Sequence, residues 1–283
     1  MKNKVLSVLY PAVSLAFGLA GAAWLTVLMN KYYDAKSNGF SASRAEMVFL
    51  GVALFLFVLA AFFLKFKAVG RVSDKKPMPK AVYAVAAALL LFSGILSAVK
   101  LLSSKLTTES VLFSIFATLS TSFSFVAALI FLLKTTRYEK KMAQFSLIVP
   151  LWMLFSVGAS YFNTAFTYTN FVRAVLNLSI AGMIMFLMAE LREYIGIKFF
   201  VLKCASSAVA IVLGTTYLVA RIVFMIMNGA SPLFSDYQEI AVLGTLVYIA
   251  FADHFRTFEI EPPETEPEAP PAEEPPADAP NED

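Results

Sequence analysis

Apolar residues run through this chain in long blocks rather than in alternation. Eight blocks stand out: Val5–Met29, Met47–Leu64, Ala81–Leu102, Val111–Leu133, Phe145–Phe166, Phe171–Ala189, Phe199–Met227 and Ile240–Ala252. A helix crosses the hydrocarbon core of a bilayer with about 20 apolar residues. The first seven blocks are near that length or beyond it. The eighth is short, and it spans only if Tyr237, Gln238 and Glu239 begin the helix and Asp253 to Phe255 finish it. Otherwise it is a tilted or partly re-entrant segment. No block alternates with the period of two that marks a transmembrane barrel. The blocks are apolar on nearly all sides, as lipid requires. The pattern therefore predicts an all-α, polytopic transmembrane bundle of about eight helices.

Features inside the blocks refine this. Ala12, Ala16 and Ala20 in the first helix, and Ala84 and Ala88 in the third, are small enough to permit close helix contact. Pro150 is expected to kink the fifth helix or sit in its first turn. The fourth carries Ser114, Thr118, Ser120, Thr121, Ser122 and Ser124, read as packing hydroxyls with a hydrophilic path as the alternative.

Lys and Arg between the blocks set an orientation, because cytoplasmic loops are the basic ones. Lys65, Lys67, Arg71, Lys75, Lys76 and Lys80 follow the second block; Lys134, Arg137, Lys140 and Lys141 follow the fourth; Arg192, Lys198 and Lys203 follow the sixth. With Lys2, Lys4 and Arg256, one side collects 16 of the 23 basic residues. The other side has six: Lys31, Lys36, Arg44, Lys100, Lys105 and Arg173, while Arg221 lies inside the seventh block. Both termini are thus expected in the cytoplasm. Lys2, Lys4 and the apolar run after them resemble a secretory signal. That run is far longer than the 7–15 residues of a signal core, so a retained first helix is expected. Cleavage would leave seven helices in the same orientation.

The composition sharpens the picture. Hydrophobic residues make up 59% of the 283, and charged residues 15%. Ordinary soluble domains hold about 45–50% and about 25%. A soluble chain of this size would expose large apolar patches. This excludes an ordinary cytosolic enzyme, a nucleic-acid-binding domain and a secreted disulfide scaffold. The net charge of +3 hides two opposed parts. Residues 1–258, the transmembrane domain, hold all 23 basic residues and 10 acids, giving +13. Residues 259–283 hold 10 acids, no base and eight of the 13 prolines, giving −10. This second part reads as a disordered acidic cytoplasmic tail. It is either a solvated tail or a docking segment for a cytoplasmic protein partner or for the chain's own basic loops.

Candidate chemistry is sparse. There is one Cys, Cys204, and one His, His254, so no intrachain disulfide and no His/Cys zinc site can be built. Cys204 reads as a buried thiol and His254 as a juxtamembrane His. HExxH, a phosphate-binding P-loop, a nucleophile elbow and CxxC are all absent from the sequence. No cofactor is implied. Asp34, Glu46, Asp74, Glu109, Glu139, Glu190, Glu193, Asp236, Glu239 and Asp253 all fall at helix ends or in loops. A proton-coupled carrier usually needs an ionisable carboxylate at the midplane.

Arg221 is the sharpest residue, two turns before the outer end of the seventh block. It either snorkels to the headgroups or faces the bundle as a contact for an anion or polar ligand. Tyr217 lies one turn before it. Arg173 and Asn177 have the same i, i+4 spacing near the outer end of the sixth block. Ser160, Tyr161, Asn163, Thr164, Thr167, Tyr168, Asn170, Thr215 and Thr216 lie nearby. Together these suggest an outward-facing polar cavity, with Arg173, Asn177, Tyr217 and Arg221 as its ligand-binding residues. The plainer reading is an aromatic belt beside a wet loop.

The stretch Asn170–Tyr194, which ends Met-Ile-Met-Phe-Leu-Met-Ala-Glu-Leu-Arg-Glu-Tyr, covers about a tenth of the chain. It resembles a segment of uncharacterised multi-span membrane proteins of anaerobic Gram-positive bacteria. The resemblance carries no activity and implies only a bacterial cytoplasmic membrane. The function expected from the residues is that of a non-enzymatic integral membrane protein, a sensor or a scaffold. A permease for a small polar or anionic solute is the alternative, and an intramembrane enzyme ranks last. The lipid bilayer is the partner that the composition requires, nucleic acid is not expected, and the sequence gives no oligomeric state.

Overall fold

The computed structural model describes residues 2–34, 39–40, 44–68, 79–103, 111–136, 145–162, 171–194, 200–228 and 237–257. The described residues fold into eight helices: α1 (Lys2–Tyr32), α2 (Arg44–Ala68), α3 (Lys80–Ser103), α4 (Val111–Thr136), α5 (Ile148–Phe162), α6 (Phe171–Tyr194), α7 (Phe200–Asn228) and α8 (Tyr237–Thr257). Between α1 and α2, Tyr33–Asp34 pairs antiparallel with Gly39–Phe40. Every apolar block has become a helix, and six of the helices are long and apolar enough to cross a membrane. The chain is a multi-pass helical membrane protein.

Two helices bear on the expected lengths. The described part of α5 has 15 residues, and residues 163–166 of the fifth block lie outside the described residues. Pro150 sits in the first turn of α5, where its missing N–H removes no helical bond. Conversely, α8 is 21 residues long and starts at Tyr237, taking in both flanks that the short eighth block needed. The acidic segment 259–283 lies outside the described residues.

α7 is the hub. It packs against α1, α2, α6 and α8, while α3 joins α4 to α8 and α5 bridges α4 and α6. In the apolar window of α7, 67% of residues are buried, against 17% in α2. α7 is therefore an inner helix and α2 a peripheral one. The close approach of α1 to α7 is made by glycines. A Cβ on Gly18 would lie 2.7 Å from Thr215 Cβ, and one on Gly21 would lie 2.6 Å from Thr216 Oγ1. Thr216 then donates to the Gly18 carbonyl at 3.1 Å. This corrects the expectation for the alanines: Ala12, Ala16, Ala20, Ala84 and Ala88 are all exposed. The glycine face wins because removing the last carbon lets the backbones come closer than alanine does.

The hydroxyls of α4 are structural. Thr118 and Ser122, both exposed, donate to the carbonyls of Ser114 and Thr118 on their own helix. Thr121 pairs across to Ser97 of α3, and Ser124 donates to the Leu90 carbonyl at 3.3 Å. Such cross-helix bonds satisfy groups that lipid cannot.

Candidate functional site

Arg173, Asn177, Tyr217 and Arg221 fall near one level of the bundle. Gly182 lies against Val209 and Ala210, and Ser179 against Gly214, so α6 and α7 run antiparallel in that register. Carried on to the start of α6, the same register brings Arg173 level with the Tyr217–Arg221 turn of α7. Arg173 is buried, at 9% exposure. Asn177 is half-buried one turn later, and its Oδ1 has no hydrogen-bond partner among the described residues. Ser160 is buried and Tyr161 exposed. Asn163, Thr164, Thr167, Tyr168 and Asn170 lie outside the described residues.

Arg221 does not snorkel. It is buried, and its Nε donates to Glu239 Oε1 of α8 at 2.9 Å. The Tyr217 hydroxyl donates to the same oxygen at 3.0 Å. The guanidinium carbon stands 6.0 Å from the Tyr217 ring centroid, within reach of a cation–π contact. The geometry follows from the sequence. Tyr217 and Arg221, one turn apart, share a face of α7, and Glu239 in the first turn of α8 meets that face. A lone arginine at this depth would cost several kcal/mol. A carboxylate from the neighbouring helix removes that cost, so the arginine turns inward. Tyr217, Arg221 and Glu239 thus form one contact cluster between α7 and α8.

A second cluster lies at the other end of α7 and α8. Lys65 of α2 donates to Asp253 of α8 and to Ser207 Oγ of α7. Tyr10 of α1 brings its hydroxyl to 3.4 Å from Ser207 Oγ, and its ring centroid to 5.5 Å from Lys65 Nζ. Ser207 donates in turn to the Cys204 carbonyl at 3.1 Å. Four helices thus meet at one ion pair, and all four side chains are at most 3% exposed. Cys204 is a buried free thiol beside them; the His254 side chain lies outside the described residues.

A third group lies beside it. Tyr248 of α8 donates to both oxygens of Glu190 of α6, at 2.7 and 2.8 Å. Lys134 of α4 lies 5.6 Å from the Tyr248 ring centroid and 5.4 Å from that of Phe131. Lys134 and Glu190 are both buried, at 7% and 3%.

These inner groups correct the sequence reading, which took Lys65 and Lys134 as loop charges. Both are helical and buried. A signal was present. Lys65, Lys134, Glu190 and Asp253 are each the first residue after an apolar block, following Leu64, Leu133, Ala189 and Ala252. All four stand near the C-terminal ends of even-numbered helices. A helix C-terminus favours cations and disfavours anions, so the two carboxylates there need partners. Partners separated by 188 residues are set by tertiary packing, which no local pattern shows.

Chemically, these clusters hold charge. Among the described residues no group of three His, Cys, Asp or Glu is placed to hold a metal ion. Comparison of the chain with protein-family models, with curated proteins and with solved structures gives no match.

Proposed function

We propose that this chain is a non-enzymatic sensor or scaffold of a bacterial cytoplasmic membrane, with both termini in the cytoplasm. The Arg221 cluster is its outer, ligand-responsive end. The observation that carries the reading is the double attachment of α8. Glu239 in its first turn is bound by Arg221 and Tyr217, and Asp253 near its other end is bound by Lys65. The two carboxylates are 14 positions apart, which on a helix is about 21 Å. The acidic segment follows α8 directly. An anionic ligand that competes with Glu239 for Arg221 loosens one end of a helix whose other end leads to the tail. Such a ligand shifts the equilibrium only by its preference for the loosened state. The tail then presents its charge to a cytoplasmic protein partner or withdraws it. The Arg221–Glu239 pairing favours this reading over a permease, because it neutralises the arginine an anionic solute would meet.

The test reads both ends of α8 at once. In a Cys204→Ser, Thr257→Cys background, Arg221 is kept, replaced by Lys or replaced by Leu. Lys keeps the charge but not the planar donor set. Leu leaves Glu239 without its charged donor, at a cost of about 1–3 kcal/mol. The expected order of thermal stability is Arg above Lys above Leu. Modification of the introduced cysteine at position 257 by a thiol reagent should accelerate in the reverse order. Equal stability and equal modification rates in all three would end the sensor reading.

A further inference from the structure

The cations of the bundle differ in their partners. Lys31 pairs with Glu46, Lys65 with Asp253, Lys203 with Glu193 and Arg221 with Glu239. Lys67, in the last turn of α2, is exposed and meets no carboxylate among the described residues. Asp253 and Glu193, the carboxylates bound at this end of α2 and α7, are already held by Lys65 and Lys203. The charge of Lys67 is thus left to an anion from outside the chain. Leu56, Leu59, Phe63 and Lys67 follow one another at spacings of three and four, so they share a face of α2, and all are exposed. Beside that stripe stands an aromatic wall. Phe66, 45% exposed, brings its ring centroid to 5.7 Å from that of Phe200 at the start of α7. From Lys67 back to Leu56 is 11 positions, about 16 Å of helix. That is close to half of a hydrocarbon core about 30 Å thick, the depth of one leaflet.

We propose that this corner of α2 and α7 binds one phospholipid of net negative headgroup charge, in the leaflet where α8 ends. The Lys67 ammonium pairs with the headgroup phosphate, and its stem lies along apolar surface as long lysine side chains do at a membrane interface. One acyl chain runs along Phe63, Leu59 and Leu56, with Phe66 and Phe200 as its side wall. A zwitterionic headgroup offers the same phosphate, but its own cation offsets much of the attraction. An anionic one keeps it, and one lysine near an anionic membrane surface is worth about fivefold in affinity. A free phosphate would satisfy the ammonium and leave the stripe untouched. A lipid joins an anion to an apolar chain at the two depths that Lys67 and the stripe occupy. The proposal goes beyond the outer cluster and stands without it.

The test compares phosphatidylglycerol with phosphatidylcholine of identical acyl chains. Each is titrated into the purified full-length protein in nonionic detergent, and binding of the first lipid is measured by native mass spectrometry. Phosphatidylglycerol should bind about fivefold more tightly. Lys67→Gln should bring the ratio of the two affinities close to one, and Lys67→Arg, which keeps the charge, should preserve it. Lys67 is exposed, so these changes probe the site rather than the fold. Lys31→Gln removes a cation from the other end of the bundle and should leave the ratio as in the wild type. The double variant Phe63→Ala/Phe66→Ala should weaken both lipids together, because it removes the surface that holds the chain and leaves the ammonium. Equal affinities for the two lipids in the wild type overturn the proposal. So does a preference that survives Lys67→Gln, or one that Lys31→Gln lowers as much. Unchanged phosphatidylglycerol affinity in the double phenylalanine variant overturns it as well, since the bound group would then be an anion without its chain.

Discussion

Lys65→Ala should destabilise the purified protein by about 3–5 kcal/mol, because it leaves Asp253 as a buried charge without its partner. Asp253→Ala should cost a similar amount, since it strands the ammonium of Lys65. Both side chains are 3% exposed, so water does not reach in to rescue the survivor. Each change also loosens a meeting point of four helices, through Ser207 and Tyr10. The double variant Lys65→Met/Asp253→Leu should recover most of the loss. Packed hydrophobic residues often replace a buried ion pair at little cost or with a gain. Thermal or detergent-induced unfolding of the four proteins gives the coupling energy directly. Single variants that each cost under about 1 kcal/mol would mean that the pair is solvated, as exposed pairs are.

Gly18→Val and Gly21→Val should each destabilise by about 1–3 kcal/mol through overpacking at the α1–α7 contact. The obstruction at Gly18 includes the Val212 carbonyl, 3.2 Å from where a Cβ would stand, and backbone does not turn aside as a flexible side chain does. Separating the helices would also strain the bond from Thr216 to the Gly18 carbonyl. Gly51→Val is the internal control. A Cβ there meets nothing within 4 Å, so the change should fall within about 0.5 kcal/mol of wild type. Ala16→Val, on the exposed side of α1, should be equally quiet. The comparison is made by thermal unfolding, and equal losses at Gly18 and Gly51 would contradict the close α1–α7 contact.

Helix number was legible because lipid-facing helices are apolar all round, and such blocks need no tertiary information to be seen. The boundaries of α3 and α4 were legible for the same reason. The far end of the fifth block, residues 163–166, lies outside the described residues. The polar sites were less legible. The i, i+4 spacing placed Tyr217 and Arg221 on one face, but it could not show which helix that face meets. Glu239 was therefore read as an ordinary helix-end acid. Lys65 and Asp253 were hidden by the basic-loop pattern, which counts charge by side and says nothing about burial. The alanine stripe of α1 misled because alanine suits both a close helix contact and a lipid face. Its packing depends on which side carries glycine.

α8 is the weakest spanner by composition, yet it carries both Glu239 and Asp253, the carboxylates of the two ion pairs. The measurement that bears on it most directly is the sidedness of its two flanks in intact cells. Ser235→Cys and Phe258→Cys are each placed in a Cys204→Ser background and treated with a membrane-impermeant thiol reagent. The expected result is modification at position 235 in intact cells, and at position 258 only after the membrane is permeabilised. Modification of both positions from the same side would show α8 to be re-entrant, and would contradict a helix clamped by ion pairs near opposite faces of the membrane.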